Sequence, residues 1–309
     1  MGVGIGAGNI LGIAHETVAG TYVAPTKFFP FTTEDLKYTQ KTVYRRSIRN
    51  TPGLIGAVAG YSEIGGTVVM ELTADTLPYF LYVSRTTVVK TGAGPYIYTV
   101  TPAPIAVPAR TMSISVKRNN QVFGYAGCVV SGFNIAIGTD GILNVTFTIV
   151  GLTEATQSAL TAVWPTTTPF GAGMYKLEIP TATQVFDTDA FEFDQQDNAV
   201  ANNRIKDTNT GPSFVAFGES AGTIKVERDF DSRADYDAFK SLTAQSVHFT
   251  ATNGAEVIDL TCPVSYKDTY DIGTPSQADL QRASITYQCA INSSGVHYTL
   301  VVTTAESII

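Results

Sequence analysis

Two stretches of this chain repeat one another in kind and in order, and that repetition constrains the fold more than any other feature. Gly66-Thr67-Val68-Val69-Met70-Glu71 runs into a short helical pattern, and Gly222-Thr223-Ile224-Lys225-Val226-Glu227 runs into another. Further on, Cys128-Val129-Val130-Ser131 leads through Gly138-Thr139 to Val145-Thr146-Phe147-Thr148. Its counterpart, Cys262-Pro263-Val264-Ser265, leads through Gly273-Thr274 to Ser284-Ile285-Thr286-Tyr287. Four matches in one order indicate a tandem duplication. The segment Leu152–Tyr175, with Trp164-Pro165, a threonine run and Gly171-Ala172-Gly173, is the natural linker. The expected division is residues 1–27 as an N-terminal arm, 28–151 as copy one, 152–175 as linker and 176–309 as copy two.

Both copies read as β-structure. Runs such as Thr67–Leu72, Tyr96–Val100, Thr111–Lys117, Cys128–Ile137 and Leu143–Val150 are rich in β-branched and aromatic residues and are separated by Gly, Pro or Asn-Asn breaks. Phe191–Asp194, Phe214–Phe217, Thr223–Glu227, Ser246–Thr250, Val257–Val264, Ala283–Ile291 and His297–Thr303 continue the pattern. Thr139-Asp140-Gly141 is a hairpin turn signal. Helix is expected only at Ala74–Val83, where Pro78 intrudes, and at Ser232–Leu242, with Ser232 as N-cap. The fold class is therefore all-β: two tandem β-sandwich or barrel-like domains, each with one short flanking α-helix.

Before the repeated strand, each copy holds a long irregular stretch. In copy one it runs from Val43 to Gly65 and carries Arg45, Arg46, Arg49, Leu54 and Ile55; in copy two it runs from Val200 to Ala221 and carries Arg204 and Lys206. Loops longer than about 15 residues inside compact domains are uncommon and usually functional or disordered. Their mixture of basic and apolar residues favours docking on a partner. Charged residues make up only 15% of the chain, against about 25% in an average soluble protein. So little charge suggests a surface largely covered by neighbours. Residues 1–160 hold eleven basic and eight acidic residues, and 161–309 hold nine and nineteen. A net charge of −7 opposes a phosphate grip and suits a conduit along which DNA slides. Glu71, Glu192, Asp194 and Glu227, acidic residues within strands, are the candidates to line such a bore. The three cysteines imply no disulfide framework, and a reducing compartment is expected. The first residues lack the basic start of a signal peptide, and no apolar run approaches the ~18 residues of a membrane helix.

One motif could carry chemistry. Gly218-Glu219-Ser220-Ala221-Gly222 matches the nucleophile elbow of serine hydrolases, with Asp259, Asp268 and His297 following in chain order. That mechanism needs Ser220 on a strand-to-helix turn in a parallel sheet, whereas here the pentapeptide runs into a strand. His15, His248 and His297 show no metal-ligand spacing, and His248 reads as a hydrogen-bonded strand residue. The acidic run Asp187–Asp197 lacks the Gly and closing Glu of a calcium loop. No cofactor or metal site is expected, and no catalysis.

The N-terminal phrase His15-Glu16-Thr17-Val18-Ala19-Gly20-Thr21-Tyr22-Val23-Ala24-Pro25-Thr26-Lys27-Phe28-Phe29-Pro30 resembles the opening of bacteriophage tail tube (major tail) proteins. So do the arginine-bearing loop, Gly66–Leu72, the strand ending Thr146–Gly151 and the C-terminal Tyr298–Thr303. The resemblance implies a virion structural subunit, made in the host bacterial cytoplasm, whose rings stack into a hollow tube that conducts viral DNA. It also implies tape measure, tail terminator and distal tail proteins as partners, DNA that passes without specific binding, and no membrane. Single-copy tube proteins close as hexamers, so a duplicated chain is expected to close as a trimeric, pseudo-hexameric ring, with a hexamer as the alternative. Arg45, Arg46, Arg49, Leu54, Ile55, Arg204 and Lys206 are the expected contacts between rings or subunits. The rivals are a surface β-sandwich binding module and, less well matched, a hydrolase using Ser220.

Overall fold

The computed structural model describes residues 8–309 apart from 47–52, 105, 107, 109, 139, 158, 187, 204–210, 231–232 and 275–280. The first half contains β1 (Ile10–His15), β2 (Lys27–Phe29), β3 (Thr33–Glu34), β4 (Lys37–Arg45), β5 (Gly56–Glu71), helix α1 (Thr76–Leu81), β6 (Thr86–Thr91), β7 (Tyr96–Pro102), β8 (Met112–Arg118), β9 (Gln121–Ile137), β10 (Leu143–Gly151) and β11 (Thr153–Gln157). The second half contains β12 (Tyr175–Glu178), β13 (Gln184–Val185), β14 (Thr188–Gln196), β15 (Val200–Asn202), β16 (Phe214–Ala216), β17 (Ala221–Asp229), helix α2 (Arg233–Lys240), β18 (Gln245–Asn253), β19 (Glu256–Ile272), β20 (Arg282–Ala290) and β21 (Thr299–Thr304). The protein is all-β, as its strand periodicity predicts.

Two very long strands organise the packing. Strand β9 pairs with β8 and β11 along its first part and with β10 along its second. Strand β19 pairs with β18 and β21 along its first part and with β20 along its second. Each therefore belongs to two sheets and must change direction between them. In β9 the change falls at Gly127, whose φ of +68° is a left-handed conformation suited to glycine. A Cβ there would stand 2.6 Å from the Leu152 side chain. One sheet runs β4-β5-β10-β9-β14-β17-β20-β19, antiparallel throughout. Its core face carries Val68, Met70, Val145, Phe147, Phe133, Ile135, Phe191, Phe193, Ile224, Val226, Ile285 and Tyr287, all buried. Behind it lie β2-β1-β8-β9-β11 and β13-β12-β18-β19-β21-β7-β6. The Phe80 and Phe147 rings stack at 4.1 Å, and the Phe191 and Phe249 rings at 4.2 Å.

Several details differ from expectation. The segment expected as an arm supplies β1, which lies antiparallel to β8 from Ile10↔Lys117 to His15↔Met112. The expected linker opens with β11, which pairs with the free flank of β9 from Thr153↔Ala126 to Gln157↔Val122. The irregular stretch from Val43 to Gly65 is mostly a two-stranded ribbon, since β4 pairs with β5 from Lys37↔Gly65 to Arg45↔Gly56. All six residues of α1 are buried, whereas none of α2's is. The expected hairpin turn is present between β9 and β10, where Gly141 N donates to Gly138 O at 2.9 Å, although Thr139 itself, like the expected cap Ser232, lies outside the described residues.

Candidate functional site

The long antiparallel sheet has one face turned away from the core, and the register fixes what stands on it. Directly opposed residues share a face. Along one row Val69 faces Thr146, Thr146 faces Asn134, Asn134 faces Asp194, Asp194 faces Thr223, and Thr223 faces Gln288. The next row runs Glu71, Asn144, Ala136, Glu192, Lys225 and Thr286. Glu227 lies beyond, between Ala190 and Ser284. The four acidic residues singled out by sequence thus stand on one continuous face, amid Thr, Ser, Asn and Gln. Asn134 Nδ2 donates to Glu192 Oε1 at 2.6 Å, and Gln196 Nε2 donates to Asp194 Oδ1 at 2.8 Å. Burial raises the pKa of Asp194, and the neighbouring Glu192 adds to the rise. Lys225 lies 3.0 Å from Glu227, whose hydrogen bond raises the lysine's pKa.

The sheet is open. Among the described residues, it ends on one side at β3 and β4, which pair only with β5, and on the other at the second part of β19, whose outer flank has no partner strand. The sheet is eight strands wide, both edge strands included. The β4–β5 ribbon projects from the first edge, exposed on both sides over all nine residues of β4. Arg45 and Arg46 are exposed at its end, Ile55 N donates to Arg45 O at 3.1 Å, and Leu54 is 58% exposed. Val43, Tyr44 and Val58 add apolar surface along its length. Of the remaining expected contact residues, Arg49, Arg204 and Lys206 lie outside the described residues.

The Ser220 motif assembles differently from a hydrolase site. Ser220 sits just before β17 and donates from Oγ to Asp197 Oδ1 at 2.8 Å, while Gln195 Nε2 donates to Ser220 Oγ at 2.8 Å. His297 Nε2 engages Gln195 Oε1 at 2.9 Å, and burial lowers its pKa. Asp259 is bonded to His248 instead, at 3.0 Å. These contacts join a glutamine, a carboxylate, a serine and a histidine into a hydrogen-bonded cluster, without the serine–histidine bond that general-base activation uses. His248 also meets Glu178 Oε2 at 2.7 Å. Burial opposes its charging, but the two carboxylates outweigh burial and its pKa is raised. No group of three metal-ligating side chains occurs among the described residues, and no helix there is long and apolar enough to cross a membrane.

Sequence reasoning missed Gln195 and Lys267, both buried at strand positions that read as open. Only the elements that cover them, distant in sequence, reveal their role.

The geometry is that of an open, edge-presenting β-sheet with a polar face and a projecting ribbon. The family model described as phage tail tube protein matches residues 6–289, and the chain belongs to that family. It is a structural tail tube subunit and a component of the virion. A comparison with curated proteins finds no match.

Proposed function

We propose that the chain polymerises as stacked rings into a hollow tube whose bore is the polar face of the long sheet, and that viral DNA passes along it without adhering. The observation that carries this reading is the open sheet itself. An unpaired edge is a template for another strand, and closure into a ring removes it. The face offered to the bore holds hydroxyl and amide side chains with Glu71, Glu192, Asp194 and Glu227, which would keep the DNA phosphates at a distance.

Two tandem tube-type domains per chain are supported by a repeated pairing network. β10 lies between β5 and β9 as β20 lies between β17 and β19. β8 and β11 flank the first part of β9 as β18 and β21 flank that of β19. Each chain would then supply eight strands, and three chains twenty-four. With strands about 4.8 Å apart and tilted about 40°, twenty-four strands close at a diameter of roughly 48 Å and forty-eight at roughly 96 Å. The narrower barrel suits a bore that guides a single duplex. Arg45, Arg46, Arg49, Leu54 and Ile55 on the ribbon, with Arg204 and Lys206, would contact neighbouring subunits or rings. Tape measure, terminator and distal tail proteins would meet the tube at its ends.

Negative-stain microscopy of the purified protein tests the reading: rings or hollow tubes are expected, and dispersed monomers at all concentrations would overturn it. The mass per ring tests the stoichiometry, since three chains of 32.9 kDa make about 99 kDa and six about 197 kDa.

A further inference from the structure

We propose that Cys262 and Cys289 form an oxidation site, a thiol pair that closes into a disulfide and fastens the long sheet to the sheet behind it at the corner of β19. The bridge lies within one chain, so it does not depend on how many chains assemble.

Three scattered cysteines imply no disulfide in the sequence; the fold brings two of them together. Cys262 faces Val247 in the first part of β19, and Cys289 faces Ser265 from β20. One side chain therefore comes from the sheet behind and the other from the long sheet, and just after Cys262 the strand β19 passes from one to the other. Although the two lie 27 positions apart, Cys289 Sγ donates to Cys262 Sγ at 3.3 Å. A disulfide bond is about 2.0 Å long, so the sulfurs need approach by only about 1.3 Å, a movement on the scale of a small side-chain rotation. Both thiols are free in the structure.

The first half supplies an internal comparison. Its Cys128 opens the phrase repeated at Cys262. Phe147 faces Val68 as Tyr287 faces Ile224, so two residues further on Ile149 holds the place of Cys289. The first half thus keeps a single core thiol, which packs as a small apolar side chain, and only the second half sets two sulfurs in contact. That half also ends in the edge strand of the long sheet, the second part of β19, which has a partner strand on one flank only among the described residues. A bridge from Cys262 to Cys289 encloses this edge strand and nearly all of β20. It removes freedom from the unfolded chain in the stretch that has the least to hold it.

The surroundings give an order of events. Cys262 is fully buried, whereas Cys289 keeps 8% of its surface exposed. A cleft of about 570 Å³ lined by Arg85, Ser220, Ile291 and His297 opens nearby, and a Cβ on Gly222 would stand 3.3 Å from the His297 ring and 3.5 Å from the Cys289 Cβ. An oxidant therefore meets Cys289 first. With a small disulfide such as oxidised glutathione, Cys289 loses its proton, its sulfur attacks, and one glutathione leaves and takes up a proton. Cys262 then loses its proton and attacks the Cys289 sulfur, expelling the second glutathione, which is protonated in turn. The protein gives up two electrons and two protons, and the small disulfide receives both. The hydrogen bond from Cys289 and burial raise the pKa of Cys262, which makes the pair slow to exchange. Disulfides form and persist on virions, where no thiol pool keeps cysteines reduced, and this chain is a virion component.

The test uses the full, unsubstituted chain, purified with its three cysteines reduced and then incubated, folded, with oxidised glutathione. Alkylation with N-ethylmaleimide in denaturant, read by intact mass, should add three labels before oxidation and one afterwards. Peptide mapping should place the remaining label on Cys128 and a bond between Cys262 and Cys289. The melting temperature should rise by about 5 °C on oxidation and fall back on reduction. Cys289→Ala should carry two labels with or without oxidant and show no rise. If that variant does not fold, the label count of the unsubstituted chain still decides. Three labels after oxidation of the folded chain, glutathione retained on Cys289, a bridge to Cys128 or between chains, or a bridge that leaves the melting temperature unchanged would each overturn the proposal.

Discussion

Helix α2 should be held in place chiefly by one carboxylate. None of its residues is fully buried; Tyr236 and Phe239 rest on the Tyr270 ring of β19, and Asp235 pairs with Arg228 on β17 and Lys267 on β19. The Lys267 side chain is 2% exposed, and its ammonium also donates to the Asp235 carbonyl at 3.0 Å. Burial holds Lys267 below its usual pKa despite the carboxylate. Burial also opposes the charge of Asp235, but the two cations outweigh it and its pKa is lowered. Asp235→Ala therefore leaves a buried cation without its counter-ion, a change that costs about 3–5 kcal/mol. That is a large part of the roughly 5–15 kcal/mol by which domains are stable. Lys267→Met removes the stranded charge and leaves Asp235 with Arg228, so its cost should stay below about 1 kcal/mol, and adding it to Asp235→Ala should recover much of the loss. Urea unfolding at pH 7 measures all four proteins of the cycle. An Asp235→Ala protein within about 0.5 kcal/mol of the parent, or a Lys267→Met protein as damaged as Asp235→Ala, would refute the reasoning.

Other perturbations probe the core, the histidine and the ribbon. Phe147→Ala removes a fully buried ring stacked on Phe80 and should cost about 3–5 kcal/mol in the same assay. Because the folded-state pKa of His248 is raised, its contribution is complete below its unfolded value of 6.5 and is lost as pH rises through the raised value. Glu178, held to about 2 with Lys176 as the leading cause and His248 next, contributes above its unfolded value of 4.5 and loses that contribution as pH falls. Melting temperatures of the parent should thus exceed those of His248→Gln most between about pH 4.5 and 6.5, and a difference that grows above pH 8 would contradict this sign. Replacing residues 44–62 by a short Gly-Ser link should leave a folded subunit that no longer elongates, because among the described residues of that stretch only Ser62 is buried and none belongs to the apolar core. Tubes of normal length from that variant would remove the ribbon from the assembly contacts.

Much of this was determined locally and is legible in the chain. Alternation in Leu143–Val150 and Thr223–Glu227 marks strands because side chains repeat every two residues. The two helices fall inside the stretches Ala74–Val83 and Ser232–Leu242 that read as helical, but that one is wholly buried and the other is not is decided by what packs on them. The repeated Gly-Thr strands and Cys-x-Val-Ser phrases mark equivalent places, which the pairing network then occupies in the same order. What alternation leaves undecided is which face is covered and which strand lies alongside, since both depend on segments far apart in sequence. Only the tertiary structure joins β14 to β9 and β21 to β7, and so stitches the halves together. Only there do Glu71, Glu192, Asp194 and Glu227 share one face, and only there does the stretch after Val43 become a ribbon rather than a loop. Gln195 and Lys267 look like surface residues in the chain because polarity is local, whereas burial is conferred by whatever packs above. The same physics leaves the outer flank of the second part of β19 without a partner strand among the described residues, with the buried Ser265 beside it.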